Sequence, residues 1–162
     1  MKSGIIDIVN RVHEIFRDRG MTLSAAESCT GGLISHYITS LPGASDIFTA
    51  GVVVYTQEAK KNILGVSPDI ISTYGVVSVE TAREMAEKVR SISGSGASVS
   101  TTGNIGPGAL EGKEQGLVYI AASREGKTIS DTLRLHGDRE HNKEQASVSA
   151  LKLLIELMEG EK

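Results

Sequence analysis

Three short clusters carry residue types that could do chemistry, and each follows a stretch that reads as a strand. They are Glu27-Ser28-Cys29-Thr30-Gly31-Gly32, then Tyr55 with Lys60, then Thr101-Thr102-Gly103. In open parallel sheets ligands bind beyond the carboxyl ends of the strands, so three parallel neighbours would bring all three clusters to one edge. Ser28 precedes two glycines at the expected start of a helix. Glycines allow close backbone approach, and the first helical N–H groups present the positive end of the dipole. Thr30, Gly31 and Gly32 could there hold a phosphate or a developing oxyanion. Ser28 or Thr30 could equally do no more than cap the helix.

A serine becomes a nucleophile only beside a base. None of His13, His36, His136 and His141 can be placed at a strand end with Ser28. Lys60 is the better candidate, because desolvation or a neighbouring cation can lower a lysine pKa into the useful range. Tyr55 lies on the same strand-to-helix turn and could relay the proton. Left exposed, Lys60 and Lys61 would be ordinary solvated charges. Cys29 is the competing nucleophile, but no His or Asn is placed to support it. Arg139 and Lys143, at i and i+4, share a helix face and could clamp an anion or simply face water. The loop Gly103-Asn104-Ile105-Gly106-Pro107-Gly108 matches neither a P-loop nor G-x-G-x-x-G.

The elements that must position these residues follow from periodicity. Residues 4–19 carry Ile5, Ile8, Val9, Val12, Ile15 and Phe16 at helical spacing, with Gly20 as the stop. A short strand is predicted over 22–27, a helix over 31–41 and a strand over 47–56. Helices are predicted over 58–64, over 68–74 with Ser67 as cap, and over 79–92. A strand over 97–101 leads into a glycine-rich loop over 103–116. Strands over 117–122 and 128–135 are joined by Glu125-Gly126-Lys127, a hairpin. The last helix runs over 138–158 with Val148, Leu151, Leu154, Ile155 and Met158 as its core stripe. The alternation predicts an α/β domain on a mostly parallel mixed sheet with one antiparallel strand.

Composition narrows the function classes. The 162 residues fit one domain, which needs no metal or disulfide to hold a core. The single cysteine excludes an internal disulfide and a multi-cysteine zinc cluster. A net charge of −3 and the lack of tryptophan leave no footprint for nucleic acid or an anionic membrane. No apolar run reaches about 18 residues and no signal-peptide h-region is present, so a cytoplasmic location is expected.

Taken in order, these clusters resemble the C-terminal domain of the CinA competence/damage-inducible family, including its stand-alone nicotinamide-nucleotide amidases. The resemblance runs from about Ile6 to Met158. It rests on Ala26-Glu27-Ser28-Cys29-Thr30-Gly31-Gly32, Tyr55-Thr56-Gln57-Glu58-Ala59-Lys60, Leu64-Gly65-Val66, Gly75-Val76-Val77-Ser78, Gly106-Pro107 and Gly137-Asp138-Arg139. It implies a three-layer α/β/α fold, Ser28 as nucleophile, Lys60 rather than Lys61 as base, and assistance from Tyr55. It implies deamidation of nicotinamide mononucleotide without metal or cofactor, in a homo-oligomer such as a dimer. The substrate would be met by Thr30, Gly31, Gly32, Thr102, Gly103, Arg139 and Lys143. The chain departs from the family pattern in its loop. Thr102-Gly103-Asn104-Ile105-Gly106-Pro107 stands for Ser-Gly-Ile-Ala-Gly-Pro, and Lys113-Glu114-Gln115-Gly116 for Lys-Pro-Val-Gly. Lys143 stands where an arginine is usual. Another small amide as substrate, or a non-enzymatic nucleotide-binding module, are the competing expectations. No cluster here has the spacing of a metal site such as H-E-x-x-H, so turnover should be unchanged in EDTA; loss of turnover that zinc or manganese restores would overturn this.

Overall fold

The computed structural model describes residues 1–160. The elements are α1 (Ser3–Asp18), β1 (Leu23–Glu27), α2 (Leu33–Thr39), β2 (Phe48–Val53), α3 (Gln57–Asn62), α4 (Pro68–Tyr74), α5 (Val79–Ser93), β3 (Ala97–Gly103), β4 (Leu117–Arg124), β5 (Lys127–Arg134) and α6 (Arg139–Glu159). The five strands form one sheet in the order β2-β1-β3-β4-β5. β1 pairs in parallel with β2 and β3, while β4 is antiparallel to both β3 and β5. One strand therefore runs against the other four, as expected.

Alternation along the strands sorts the core onto two faces. Ala25 and Val99 join the cluster made with α1, α2 and α6, which includes Val12, Phe16, Ile34, Ile38, Leu151 and Leu154. Ala26 turns the other way, into a cluster with Val54, Leu64, Val66, Ile71, Met85 and Val89. The result is the three-layer α/β/α arrangement. β1 is buried along its whole length, which its central place demands. On the α5 side, Ser98 and Ser100 of β3 donate to the Ala86 and Ala82 carbonyls. Small residues on both elements let the helix approach closely enough for that.

Several boundaries differ from expectation. The helix expected over 31–41 starts only at Leu33, because Gly31 and Gly32 adopt positive φ and spend two residues on a turn. β3 runs on to Gly103, so Thr102 and Gly103 belong to the sheet rather than to the loop. Ser67 precedes α4 but its side chain makes no capping bond. In α6, Val148 and Ile155 are only partly buried, whereas Ala146, Ala150, Leu153 and Leu157 are buried with Leu151, Leu154 and Met158. The buried face is wider than one stripe because α6 lies across α1, α2 and the sheet. No described helix is long and apolar enough to cross a membrane.

β2 contributes a close contact that matters for the site. A β-carbon at Gly51 would lie 2.2 Å from Ser35 Oγ of α2, so α2 can sit this near the sheet only over a glycine. Gly51→Ala should cost about 1–3 kcal/mol, the range for overpacking a filled space. Chemical denaturation measures it, and an unchanged midpoint would mean that Ser35 can turn aside.

Candidate active site

The turn after β1 is built around a buried carboxylate. Glu27 is fully buried. Its Oε1 accepts from Thr30 Oγ1 at 2.7 Å and from the Ile34 amide at 2.9 Å. Its Oε2 accepts from the Ser35 amide at 3.0 Å and from Ser35 Oγ at 2.8 Å. A carboxylate at a helix N-terminus satisfies amides that have no partner within the helix and meets the positive dipole end. This overturns the expectation that the start of α2 is free to take a phosphate or an oxyanion, since Glu27 already fills it. Neither Ser28 nor Thr30 caps the helix. Thr30 is buried between Glu27 and Thr101 Oγ1, 2.8 Å away.

With its turn anchored, Ser28 is held by its own amide, which donates to the Thr101 carbonyl of β3. Lys60 approaches from α3. Thr56 starts that helix by accepting from the Ala59 amide at 3.1 Å, which sets Lys60 one turn in. The lysine is 1% exposed. Its Nζ lies 2.8 Å from Ser28 Oγ, 2.9 Å from the Val54 carbonyl and 3.4 Å from the Tyr55 carbonyl. Burial lowers the Lys60 pKa to about 8, with the Glu111 carboxylate opposing the shift. At pH 7 roughly a tenth of such a group is neutral, against a few parts in ten thousand for an ordinary lysine.

The position of the two carbonyls decides what that neutral form does. Carbonyls only accept, so they keep N–H bonds pointed at themselves. Removing the third proton leaves a lone pair facing Ser28 Oγ, the arrangement of a general base with its nucleophile. Cys29 is adjacent in sequence yet unsuited to the role. It is buried, and desolvation pushes its thiol up to about 12, so it stays protonated. His13 is buried with Nε2 bonded to the Ile38 carbonyl, away from the site.

Ser28 and Lys60 open onto a cavity of about 120 Å³ lined also by Cys29, Tyr55, Val76, Val77, Thr102, Gly103, Asn104, Ile105, Leu110 and Arg139. Larger concavities lie between α1 and α6 and beside the β4–β5 hairpin, but neither contains the Ser28–Lys60 pair. Thr102, Gly103 and Arg139 therefore line the site. Thr30, Gly31, Gly32 and Lys143 do not line it, although Lys143 Nζ lies against Gly31. Tyr55 brings its backbone carbonyl to Lys60, whereas its 52% exposed side chain sits at the rim. Its hydroxyl accepts from Arg139 Nη2 at 2.7 Å, so no relay from Tyr55 to Lys60 or Ser28 exists in this arrangement. The other arm of Arg139 donates to the Gly106 carbonyl. Among the described residues no cluster of His, Cys, Asp and Glu could hold a metal ion.

Known proteins share this frame. A family model described as the CinA C-terminal domain matches residues 6–158. A protein of Caldanaerobacter subterraneus subsp. tengcongensis, named as competence-damage inducible, is 43% identical over 150 residues, covering 92% of this chain and 36% of its own. A protein of the same name from Clostridium beijerinckii is 41% identical over 155 residues, covering 94% and 38%. The chain thus spans little more than a third of the length of these relatives. Among solved structures, a competence/damage inducible protein from Agrobacterium tumefaciens superposes with a TM-score of 0.93 at 34% identity, over 97% of each chain. A competence damage-inducible protein A from Klebsiella pneumoniae gives 0.93 at 27% identity, over 98% of this chain and 99% of its own. With a match that runs through β1, α3, β3 and the start of α6, where Ser28, Lys60, Thr102 and Arg139 stand, the chain belongs to the CinA C-terminal domain family.

Proposed function

We propose that this chain is a Ser-Lys amidohydrolase that converts nicotinamide mononucleotide to nicotinate mononucleotide and ammonia. The observation that carries the reading is the buried Lys60 Nζ, 2.8 Å from Ser28 Oγ, with a pKa brought down to about 8. Neutral Lys60 takes the hydroxyl proton as Ser28 Oγ bonds to the carboxamide carbon. The ammonium so formed returns the proton to the nitrogen as the C–N bond breaks, and ammonia leaves an ester on Ser28. Water, deprotonated by Lys60, then attacks the ester carbon, and the ammonium returns that proton to Ser28 Oγ as the ester C–O bond breaks, which releases the acid and restores the neutral lysine and the hydroxyl. Each step moves one proton on or off the same nitrogen, so the residues present account for the whole cycle.

The size of the site supports a substrate that enters by one end. Sites that enclose a drug-sized molecule measure about 300–1,000 Å³, and this cavity is well below that range. It suits a carboxamide on a small ring, with the rest of the nucleotide outside toward Tyr55 and Arg139. One observation favours a second substrate. Asn104 and Ile105 line the cavity at the two loop positions where the family pattern has Ile and Ala. A smaller or more polar amide handled by the same chemistry is the alternative.

Ammonia release from a panel holding nicotinamide mononucleotide, its nucleoside, nicotinamide and other small amides tests the reading. The mononucleotide should turn over fastest, and silence across the whole panel would sink the enzyme. Ser28→Ala should lower kcat on the order of 10⁴–10⁶-fold. Lys60→Arg, which keeps the charge but gives up no proton, should be as inactive as Lys60→Ala; near-normal turnover would remove Lys60 as base. Cys29→Ala and Lys61→Ala should stay near the unsubstituted rate, and Tyr55→Phe should lose less than either dyad variant. Because only neutral Lys60 reacts, kcat/KM should rise with pH and level off above about 8. A flat profile from pH 6 to 9 contradicts the assignment.

A further inference from the structure

Val76 and Val77 line the cavity, yet they lie between α4 and α5 and belong to no helix or strand. Among the described residues their four backbone polar groups meet no backbone partner. Each is met by a side chain instead. The Val76 and Val77 amides donate to the two oxygens of the Glu111 carboxylate, at 3.0 and 3.1 Å. The Val76 carbonyl accepts from Thr102 Oγ1 at 2.7 Å, and the Val77 carbonyl from Lys113 Nζ at 2.8 Å. The position of this wall is thus set by three side chains, two of them from the loop after β3.

Glu111 carries the larger part of that hold. Hydrogen bonds to an ionised acceptor are the strong ones, and two amides on one carboxylate also fix its orientation. To make them, Glu111 takes a φ of 55°, the one positive φ at a non-glycine among the described residues. Such a conformation persists only where its surroundings hold it. On the other side Gly75 leaves the space. A β-carbon there would lie 2.5 Å from Glu111 Oε2. The loop also bears Leu110, which lines the cavity directly.

We propose that Glu111 is a positioning residue of the active site, its carboxylate clamping the Val76–Val77 wall and drawing the loop over 104–116 against the cavity that holds Ser28 and Lys60. This rests on the amidohydrolase reading for its catalytic consequence. The clamp itself needs no substrate. It orients the amide by shaping the wall it meets, so its loss should fall on kcat more than on KM. Glu111 also bears a negative charge that favours protonated Lys60. Arg139 and Tyr55 line the same cavity, and Lys113 is bonded to its wall.

The test compares Glu111→Gln and Glu111→Asp with the unsubstituted chain in three measurements. Hydrogen exchange at the Val76 and Val77 amides should quicken at least about tenfold in Glu111→Gln, which keeps the length but loses the charge. The Lys60 Nζ titration, followed by NMR on labelled lysine, should shift to lower pH in Glu111→Gln, and less so at high salt. It should stay near its original midpoint in Glu111→Asp. Turnover of the best amide in the panel should fall about 10–100-fold in kcat with KM changed less than about threefold, the scale of a small misplacement. Unchanged amide exchange overturns the clamp. Lost activity with both the exchange and the Lys60 midpoint unmoved assigns the loss elsewhere and overturns it too. If no amide releases ammonia, the hydrolase reading falls while exchange and titration still decide what Glu111 does.

Discussion

The Ser28–Lys60 contact depends on keeping water from an ammonium group, and much of the architecture serves that exclusion. A lysine in water holds its proton at neutral pH, and no arrangement of neighbours short of burial or another cation makes it a base. Here the nitrogen is buried under α3, β2 and the turn after β1, and the acceptors left to it are two carbonyls and one hydroxyl. The carbonyls lower the cost of burial without cancelling it, since they bring dipoles and no full charge. An aspartate in their place would have stabilised the ammonium and removed its use as a base. Glu27 and Glu111 hydrogen-bond not to Lys60 but to amides, Glu27 to those of α2 and Glu111 to those of Val76 and Val77.

Glu27 shows how a residue outside the cavity can set the place of one within it. β1 carries Glu27 on the α2 side of the sheet and delivers Ser28 one residue later. Closing the helix N-terminus with a carboxylate from the strand ties α2 to β1 through three hydrogen bonds, and a fourth holds Thr30 in the turn between them. Gly51 permits the close approach that the bond from Ser35 requires. Ser28 is thereby held between two anchored neighbours, the carboxylate before it and the glycine turn after it.

Periodicity and turn residues made most of the fold legible, because α1 and α5 are amphipathic and β1 and β3 are short buried runs. The single antiparallel strand follows from the hairpin, whereas the order β2-β1-β3-β4-β5 is set by long-range pairing that no local pattern carries. Boundaries were least legible where a few glycines decide them, as at Gly31 and Gly32. In the site, residue type pointed to Ser28 and Lys60, but their partnership needed the family pattern, since spacing alone left Lys60 as readable on the surface. Glu27 was visible only as an acid closing an apolar run. Nothing local says that its carboxylate reaches amides seven and eight residues on. Glu111 and Lys113 were harder still, for their partners lie more than thirty residues away across a loop that has no periodicity. Tyr55 was misjudged in its direction, because a side chain at the end of an edge strand can turn outward to Arg139 while its carbonyl faces Lys60.

The buried lysine also leaves a mark on the thermodynamics of the whole chain. Unfolding returns Lys60 to water, where it binds a proton near pH 10.5, whereas the folded state releases that proton near 8. Between those values the unfolded chain carries more protons, so this group makes the fold more stable as pH rises through the window. Below about pH 8 the full penalty stands, on the order of 3 kcal/mol for a shift of this size. A domain of ordinary stability has only about 5–15 kcal/mol in hand. The buried lysine therefore makes the protein less stable at neutral pH than its packing alone would allow. An apolar residue at position 60 would lift that penalty, so the lysine is held in place at a standing cost to the fold.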